Sequence, residues 1–390
     1  MRPVRLLFLG GGPMMPTTQP MEMLKHEYFS KYFSGDIITS IIHPKHKVIK
    51  SIGNFQYHPF VVSGNTLVKN IKLIAIYINK ALEMYRRNGK YDVIIAPNPL
   101  LTGLIALLVG KIIGARVIIE VNGNFESAFK YGRKGEITPA RIESLKEIYS
   151  RITIPFILKR ADMVKLVSDN QLKPFNIKPD SIRRSSFPNF VPIKKFIESQ
   201  KSDKKYILLL GYPWYLKGVD LLIKAFNMIT VEFPEYQLKV VGWCPEGKEY
   251  YESLAGNNSR IELCDPVYYE SVIPLMAECS LYVLASRTDA SPRVLREAMA
   301  CRKPIIASNI DGVPDLIKDG YNGLLFEKEN IDDLAEKLKL LLENKELADT
   351  LAENGFHYVQ ENLSEECYIN NYRKMIDECL SIHCANEIQI

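Results

Sequence analysis

Short apolar runs alternate along this chain with longer amphipathic stretches, and the alternation restarts once. Arg5–Leu9 reads as a first strand that runs into Gly10-Gly11-Gly12-Pro13, a glycine turn. Residues 14–30 then read as a loop and a helix. Tyr91–Ala96 is apolar enough for a buried strand. Asn98-Pro99 opens a helix over Leu100–Ile113, Gly114 caps it, and Arg116–Val121 is the next strand, ending in Asn122-Gly123-Asn124. Arg160–Ser168 gives one more strand. Phe187–Pro192, with two prolines and the basic Lys194-Lys195 beyond it, reads as a linker.

The pattern restarts at Lys205–Gly211, a fresh strand and glycine turn. Lys217-Gly218-Val219-Asp220 opens an amphipathic helix with Leu221, Leu222, Ala225 and Phe226 on its buried side, and Leu238–Gly242 follows as a strand. Leu281–Ala285 is another apolar strand. After a polar loop and Pro292, a helical pattern places Val294, Leu295, Ala298 and Met299 on one side. Arg302-Lys303-Pro304 stops that helix, and Ile305–Ala307 is the next strand. Alternation continues to about residue 345, and a last amphipathic helix covers about Ser364–Leu380. Two blocks of this kind predict an α/β protein with two doubly wound parallel sheets and a ligand crevice at the carboxyl ends of their strands. The expected domains are 1–192, 193–363, and a C-terminal helix over 364–390 that packs back toward the first domain.

Composition is that of a globular chain of 390 residues with net charge +5, which hides a split. Residues 1–200 hold 30 Lys+Arg against 14 Asp+Glu, net +16, and residues 201–390 hold 20 against 31, net −11. The basic half is expected to meet an anion: a phosphate-bearing substrate, a membrane surface or a nucleic acid. Its basic residues lack the interleaved aromatic motifs of nucleic-acid binders, which argues against the last. No run approaches the ~20 apolar residues that span a bilayer, and the N-terminus reads as a strand rather than a signal peptide. The seven cysteines show no C-x-x-C pair, which points to reduced thiols and a cytoplasmic chain.

The chemistry concentrates in Ser286–Ser308. Asp289 lies in the loop before a helix and Glu297 lies eight residues on, inside that helix. The backbone N–H groups over Ser291, Pro292, Arg293 and Val294 mark a helix start suited to an anion. A carboxylate accepts hydrogen bonds from sugar or ribose hydroxyls while a helix start holds phosphate, so together they suit a nucleotide sugar. The bland alternative is a βαβ unit with a capping acid.

The segment resembles the E-x7-E signature of family 4 retaining glycosyltransferases (glycosyl transferases group 1), whose fold is GT-B: two Rossmann-like domains facing a cleft. The spacing is kept, with Asp289 for the first Glu. Arg160–Ser168 and Phe187–Pro192 are similar to further family segments in the same order. The resemblance implies transfer from a UDP- or GDP-linked sugar to a glycan or lipid-linked acceptor, with retention and by a front-face route in which the leaving phosphate takes the acceptor's proton. It assigns Asp289 to the sugar and Glu297 to the ribose, and it makes Gly11, Gly12, Asn122, Gly211, Lys217, Ser291, Pro292, Arg293 and Val294 the donor-binding set, with loops near Gly242-Trp243 and Leu263–Val267 at the base. Three departures stand out: Asp289, Asn122 in place of a His, and Tyr212 in place of an Arg, whose charge Arg293 would restore. Glu120 reads as a paired structural acid.

The chain has no D-x-D and no His/Cys cluster of ligand spacing, so no metal or other cofactor is expected. A cytoplasmic enzyme peripheral to the inner face of the membrane is expected from the basic half. Its clusters are Arg86-Arg87, Arg133-Lys134, Arg183-Arg184 and Lys194-Lys195, and Val68–Arg87 is either an interfacial helix or one packed on the core. A non-catalytic nucleotide-sugar-binding protein of the same fold and a sugar-nucleotide epimerase remain as alternatives.

Overall fold

A computed structural model of the chain describes residues 3–13, 20–41, 50–62, 66–125, 140–244 and 247–386. It divides into two compact units: Met1–Asn122 with Leu145–Phe190 and Tyr368–Ile390, and Gly123–Ser144 with Val191–Cys367.

The first unit is built on an eight-stranded sheet. In chain order its strands are β1 (Val4–Pro13), β2 (Phe33–Ile41), β3 (Ser51–Ile52), β4 (Phe55–Val61), β5 (Val93–Ala96), β6 (Arg116–Val121), β7 (Met163–Leu166) and β8 (Arg184–Ser186). Their order across the sheet is β3-β4-β2-β1-β5-β6-β7-β8, parallel except for β3 against β4. β5 and β7 are buried at every position, as strands covered on both faces must be.

The first expected glycine turn is corrected here. Gly10, Gly11 and Gly12 do not turn the chain; they lie inside β1, which continues to Pro13 with a register shift between Leu9 and Pro13. Glycine tolerates the irregular backbone of such a bulge, so the triplet prolongs the edge along β2 instead of ending it.

The last helix, Glu365–Asn386, supplies Tyr368, Ile369, Tyr372, Met375, Ile376 and Cys379 to the apolar cluster around Phe29, Phe187 and Phe190. Phe29 meets Tyr372 edge to face at 4.8 Å. Membership of the first unit begins at Tyr368, and the chain passes into the second unit between Phe190 and Val191. Residues 123–144, expected in the first domain, group with the second, where Asn124 Nδ2 donates to Thr288 Oγ1 at 3.3 Å.

The second unit holds β9 (Tyr206–Leu210), β10 (Gln237–Val241), β11 (Ile261–Cys264), β12 (Leu281–Leu284), β13 (Ile305–Ser308) and β14 (Leu324–Phe326). They form one parallel sheet in the order β11-β10-β9-β12-β13-β14. Alternate side chains of β9 enter two different apolar clusters: Ile207 and Leu209 one, Tyr206, Leu208 and Leu210 the other. That is the period-two signature of a sheet with helices on both faces. The order reverses at β9, between β10 and β12, so the loops after these strands open at the switch point where such sheets bind ligands.

Candidate active site

Three loops of the second unit converge at that switch point. The loop after β9 carries Gly211 and Lys217, the loop after β10 carries Gly242 and Trp243, and the loop after β12 carries Arg287 and Asp289 before the helix Arg293–Ala300. The backbone of the first is set by glycine. Gly218 sits at φ 65°, and a Cβ there would fall 1.9 Å from the Ala285 carbonyl oxygen. No other residue permits that approach of the two loops. Gly211, at φ 145°, makes room for the Lys217 stem, since a Cβ would lie 3.0 Å from Lys217 Cε and 3.1 Å from its Cγ and Cδ.

Arg287 fastens the loops together. Its guanidinium makes a bidentate pair with the Asp220 carboxylate, both bonds 2.8 Å, and donates to the Tyr215 carbonyl and, at 2.7 Å, to Glu329. Its backbone N–H donates to the Leu216 carbonyl at 2.8 Å. Arg287 and Asp220 are both buried, and a buried pair so fully hydrogen-bonded fixes geometry more than it adds stability. Lys217 is thereby held over Gly211 and donates from Nζ to Asp289 Oδ2 at 2.7 Å. The two side chains are 19 % and 17 % exposed. Asp289 Oδ1 also accepts the Ser291 N–H at 3.3 Å, and the Asp289 N–H donates to Asp311 at 2.9 Å.

Beyond this pair the helix Arg293–Ala300 begins. Pro292 is its N-cap, and no side chain caps its first turn, so those N–H groups face the loop side. Glu297, one turn in, is 2 % exposed. It accepts a hydrogen bond from Tyr269 Oη at 3.2 Å. Burial pushes its carboxyl above the ordinary glutamate range, while the Arg293 charge, the Tyr269 hydrogen bond and the Arg296 charge pull the other way. Burial and the neighbouring Glu297 raise the Tyr269 phenol, which keeps it a donor.

Glu297, Tyr269, Arg293 and Val294 line a cavity of about 360 Å³. Gly211, Tyr212, Gly242, Trp243, Pro266 and Val267 line it as well. Tyr212 and Trp243 stand at its wall, largely exposed, with ring centroids 6.1 Å apart at 56°. A planar base fits beside such rings. The arrangement offers a cation, a set of uncapped N–H donors, a buried acceptor carboxylate and an aromatic wall within one unit.

The structure therefore brings Gly211, Lys217, Asp289, Ser291, Pro292, Arg293, Val294 and Glu297 into one region. Gly11, Gly12 and Asn122 belong to the first unit. Asn122 Nδ2 donates there to Glu120 Oε2 at 2.9 Å and to the Pro97 carbonyl at 3.3 Å, and Lys165 Nζ donates to Asn122 Oδ1 at 3.4 Å. Glu120 also accepts from the Tyr372 hydroxyl, so it is the paired acid the sequence suggests. Sequence reasoning missed Arg287 with Asp220, Tyr269, and the ring pair of Tyr212 and Trp243. Only the last left a signal, an aromatic after each of two glycine-ended strands. Among the described residues no group of three or more His, Cys, Asp or Glu side chains is placed to hold a metal ion.

Comparison with known proteins shows what the chain is similar to. The family model described as Glycosyl transferases group 1 matches residues 191–358. An uncharacterized glycosyltransferase of Methanocaldococcus jannaschii is 29% identical over 357 residues, 83% of this chain and 96% of that relative. The N,N'-diacetylbacillosaminyl-diphospho-undecaprenol alpha-1,3-N-acetylgalactosaminyltransferase of Campylobacter jejuni is 25% identical over 291 residues, 70% of this chain and 74% of its own. The crystal structure of Anabaena HepE in complex with UDP superposes with a TM-score of 0.72 at 15% identity, covering 96% of this chain and 100% of that one; so distant a likeness speaks for the fold alone. Residues 191–358 thus match the glycosyl transferases group 1 family, the longer relatives are glycosyltransferases, and the fold is GT-B.

Proposed function

We propose that the chain transfers a sugar from a UDP- or GDP-linked donor to a lipid-linked glycan acceptor, with retention and without a metal ion. The observation that carries the reading is Lys217, held against Asp289 beside the uncapped start of the helix that buries Glu297. A leaving nucleoside diphosphate gains negative charge as the bond to C1 breaks, and a preorganised cation with N–H donors stabilises that charge most where it develops. Lys217, the first-turn N–H groups and the Arg293 guanidinium would hold the diphosphate. Glu297 would accept from the ribose hydroxyls, Asp289 from the sugar, and the Tyr212 and Trp243 rings would flank the base.

In this reading the C1–O bond to phosphate breaks and the acceptor oxygen bonds C1 on the same face. The acceptor's proton passes to the departing phosphate oxygen, so no side-chain base is required. Asp289 is engaged by Lys217 and Glu297 is buried, so neither is placed as one of a hydrolytic carboxylate pair. Support for the donor class comes from relatives: HepE is described in complex with UDP and with UDP-glucose. Support for a lipid-linked acceptor comes from the Campylobacter enzyme, whose name specifies a diphospho-undecaprenol acceptor, and from the +16 of residues 1–200. An enzyme with such an acceptor would work in the cytoplasm at the inner face of the membrane; among the described residues no helix is long and apolar enough to cross it.

Product analysis tests the reading. Proton NMR of the transferred sugar should show the anomeric configuration of the donor, and the rate should be the same in EDTA as in Mg²⁺. An inverted product or loss of turnover in EDTA would overturn retention or metal independence respectively.

A further inference from the structure

Two helices of the first unit leave apolar side chains in solvent along a regular line. On the helix Leu101–Ile113 these are Leu104, Leu108 and Ile112; on the helix Ala140–Leu158 they are Ile148, Ile152 and Phe156. Both sets run i, i+4, i+8, so each is a single stripe about 12 Å long. The helices flank β6 on the same side of the sheet, because each is the crossover between neighbouring parallel strands, β5 to β6 and β6 to β7. They also touch: a Cβ on Gly103 would lie 3.1 Å from Ile157 Cγ2. The stripes are therefore adjacent. Ile152 is 68 % exposed, and paired stripes of Leu, Ile and Phe exceed the scattered apolar residues of an ordinary surface.

The surroundings are basic. Lys111 stands on the first helix, and Lys159 and Arg160 end the second. None of the three makes an ion pair among the described residues. Arg160 lies over the Phe156 ring, its guanidinium carbon 3.7 Å from the centroid, and donates to the Phe156 carbonyl at 3.2 Å. Of the neighbouring carboxylates, Glu147 is paired with Arg151 at 2.7 Å and Asp162 with Arg116 at 2.6 Å. Among the described side chains, the cations Lys111, Lys159 and Arg160 stand beside the apolar stripes without an ion-pair partner.

We infer that this two-helix face is the surface by which the first unit seats on an anionic lipid bilayer, its Leu, Ile and Phe side chains entering the headgroup boundary while Lys111, Lys159 and Arg160 meet lipid phosphates. Charge complementarity selects the partner: a protein groove would match the stripes, but an anionic bilayer matches the stripes and the basic rim together. The inference rests on the membrane part of the proposed function and moves its location. The helix Thr66–Asn88, the sequence's candidate, buries Leu73, Tyr77, Ala81 and Met84; its outward side carries Asn70, Lys72, Asn79, Glu83, Arg86 and Arg87 with Ile71 as its one large exposed apolar side chain among the described residues, so it presents no apolar stripe. Of the basic clusters, Arg184 is taken up by Asp169 and Asp180, Lys194-Lys195 belongs to the second unit, and Arg133-Lys134 lies outside the described residues.

Vesicle sedimentation tests it, with phosphatidylglycerol-containing and purely zwitterionic vesicles. The wild-type chain should partition onto the anionic vesicles and lose affinity from 50 to 500 mM salt. Leu108→Gln/Ile152→Gln/Phe156→Gln should reduce partitioning at least tenfold with an unchanged melting temperature. Lys111→Gln/Lys159→Gln should reduce it roughly five- to thirtyfold, at about fivefold per charge, and flatten the salt dependence. UDP binding, read from tryptophan fluorescence, should be the same in all variants, so a failure of the donor reading shows separately. Wild-type partitioning that the triple variant retains would overturn the face, and no partitioning of the wild type would overturn the membrane reading with it. A wild-type dimer that the triple variant renders monomeric, with vesicle binding untouched, would assign the face to a second copy instead.

Discussion

Lys217→Ala separates two roles of one ammonium group, the ion pair with Asp289 and the diphosphate contact proposed above. In the free protein Lys217 neutralises Asp289 at 2.7 Å, with both side chains less than a fifth exposed. Charges about 4 Å apart attract by roughly 4 kcal/mol at an effective dielectric of 20, before desolvation is subtracted. Exposed pairs yield about 0.2–1 kcal/mol, and removing one partner of a fully buried pair costs about 3–5 kcal/mol. This pair lies between, so Lys217→Ala should lower the second unit's stability by about 1–3 kcal/mol. In a double-mutant cycle with Asp289→Asn the coupling should be about 1–2 kcal/mol. Both tryptophans, Trp214 and Trp243, lie in the second unit, so urea unfolding followed by their fluorescence reports on that unit. Saturating UDP then tests the second role. At 100 times its dissociation constant a ligand stabilises by about 2.7 kcal/mol. Loss of a charge-assisted contact worth about 1.5–3 kcal/mol would cut the variant's gain to about 0.3–1.3 kcal/mol at the same concentration. A variant that gains the full amount, or a coupling near zero, would refute the shared role.

Glu297→Gln should give a pH-dependent gain in stability alongside a loss of transfer. A buried carboxyl with a raised folded pKa binds its proton more tightly than the unfolded chain does, so stability falls as pH rises from the unfolded value of about 4.3 through the folded one. The amide escapes this penalty, and the variant's melting advantage should grow with pH over that window and persist at neutral pH; a constant difference would contradict the buried charge. Trp243→Ala should weaken UDP binding by about 1–3 kcal/mol, the range for a base on an aromatic ring, and abolish most of the ligand-induced fluorescence change, since Trp214 is buried; calorimetry gives the affinity, and an unchanged value would remove the ring from the site. Arg287→Ala should destabilise the unit by about 3–5 kcal/mol by leaving Asp220 buried and unpaired, read in the same urea titration; a change under 1 kcal/mol would show that the two loops hold without it.

Much of the fold was legible because parallel strands buried on both faces read as unbroken apolar runs. Arg116–Val121 has the same bounds in the sequence reading and in the structure, and Gly114 caps its helix at φ 68° as expected. The glycine triplet at 10–12 misled because a bulge and a turn draw on the same backbone freedom. At the site, Asp289 and Glu297 were visible from spacing on one loop and one helix. The pairing of Asp289 with Lys217 was not, because the two lie 72 residues apart and meet only through the approach at Gly218. Arg287 was hidden for the same reason, its partner Asp220 being 67 residues away. The outward stripes at Leu104–Ile112 and Ile148–Phe156 were illegible because periodicity reveals an apolar line without revealing whether anything covers it.

The central claim is that Lys217 and its neighbours serve sugar transfer from a nucleotide. A panel of radiolabelled UDP- and GDP-sugars, incubated in EDTA with the chain and a membrane lipid extract, tests it most directly. The account predicts that label from one donor moves into the lipid phase with the wild type and at least tenfold more slowly with Lys217→Ala. Transfer by the variant at the wild-type rate, or no transfer from any nucleotide sugar in the panel, would contradict it.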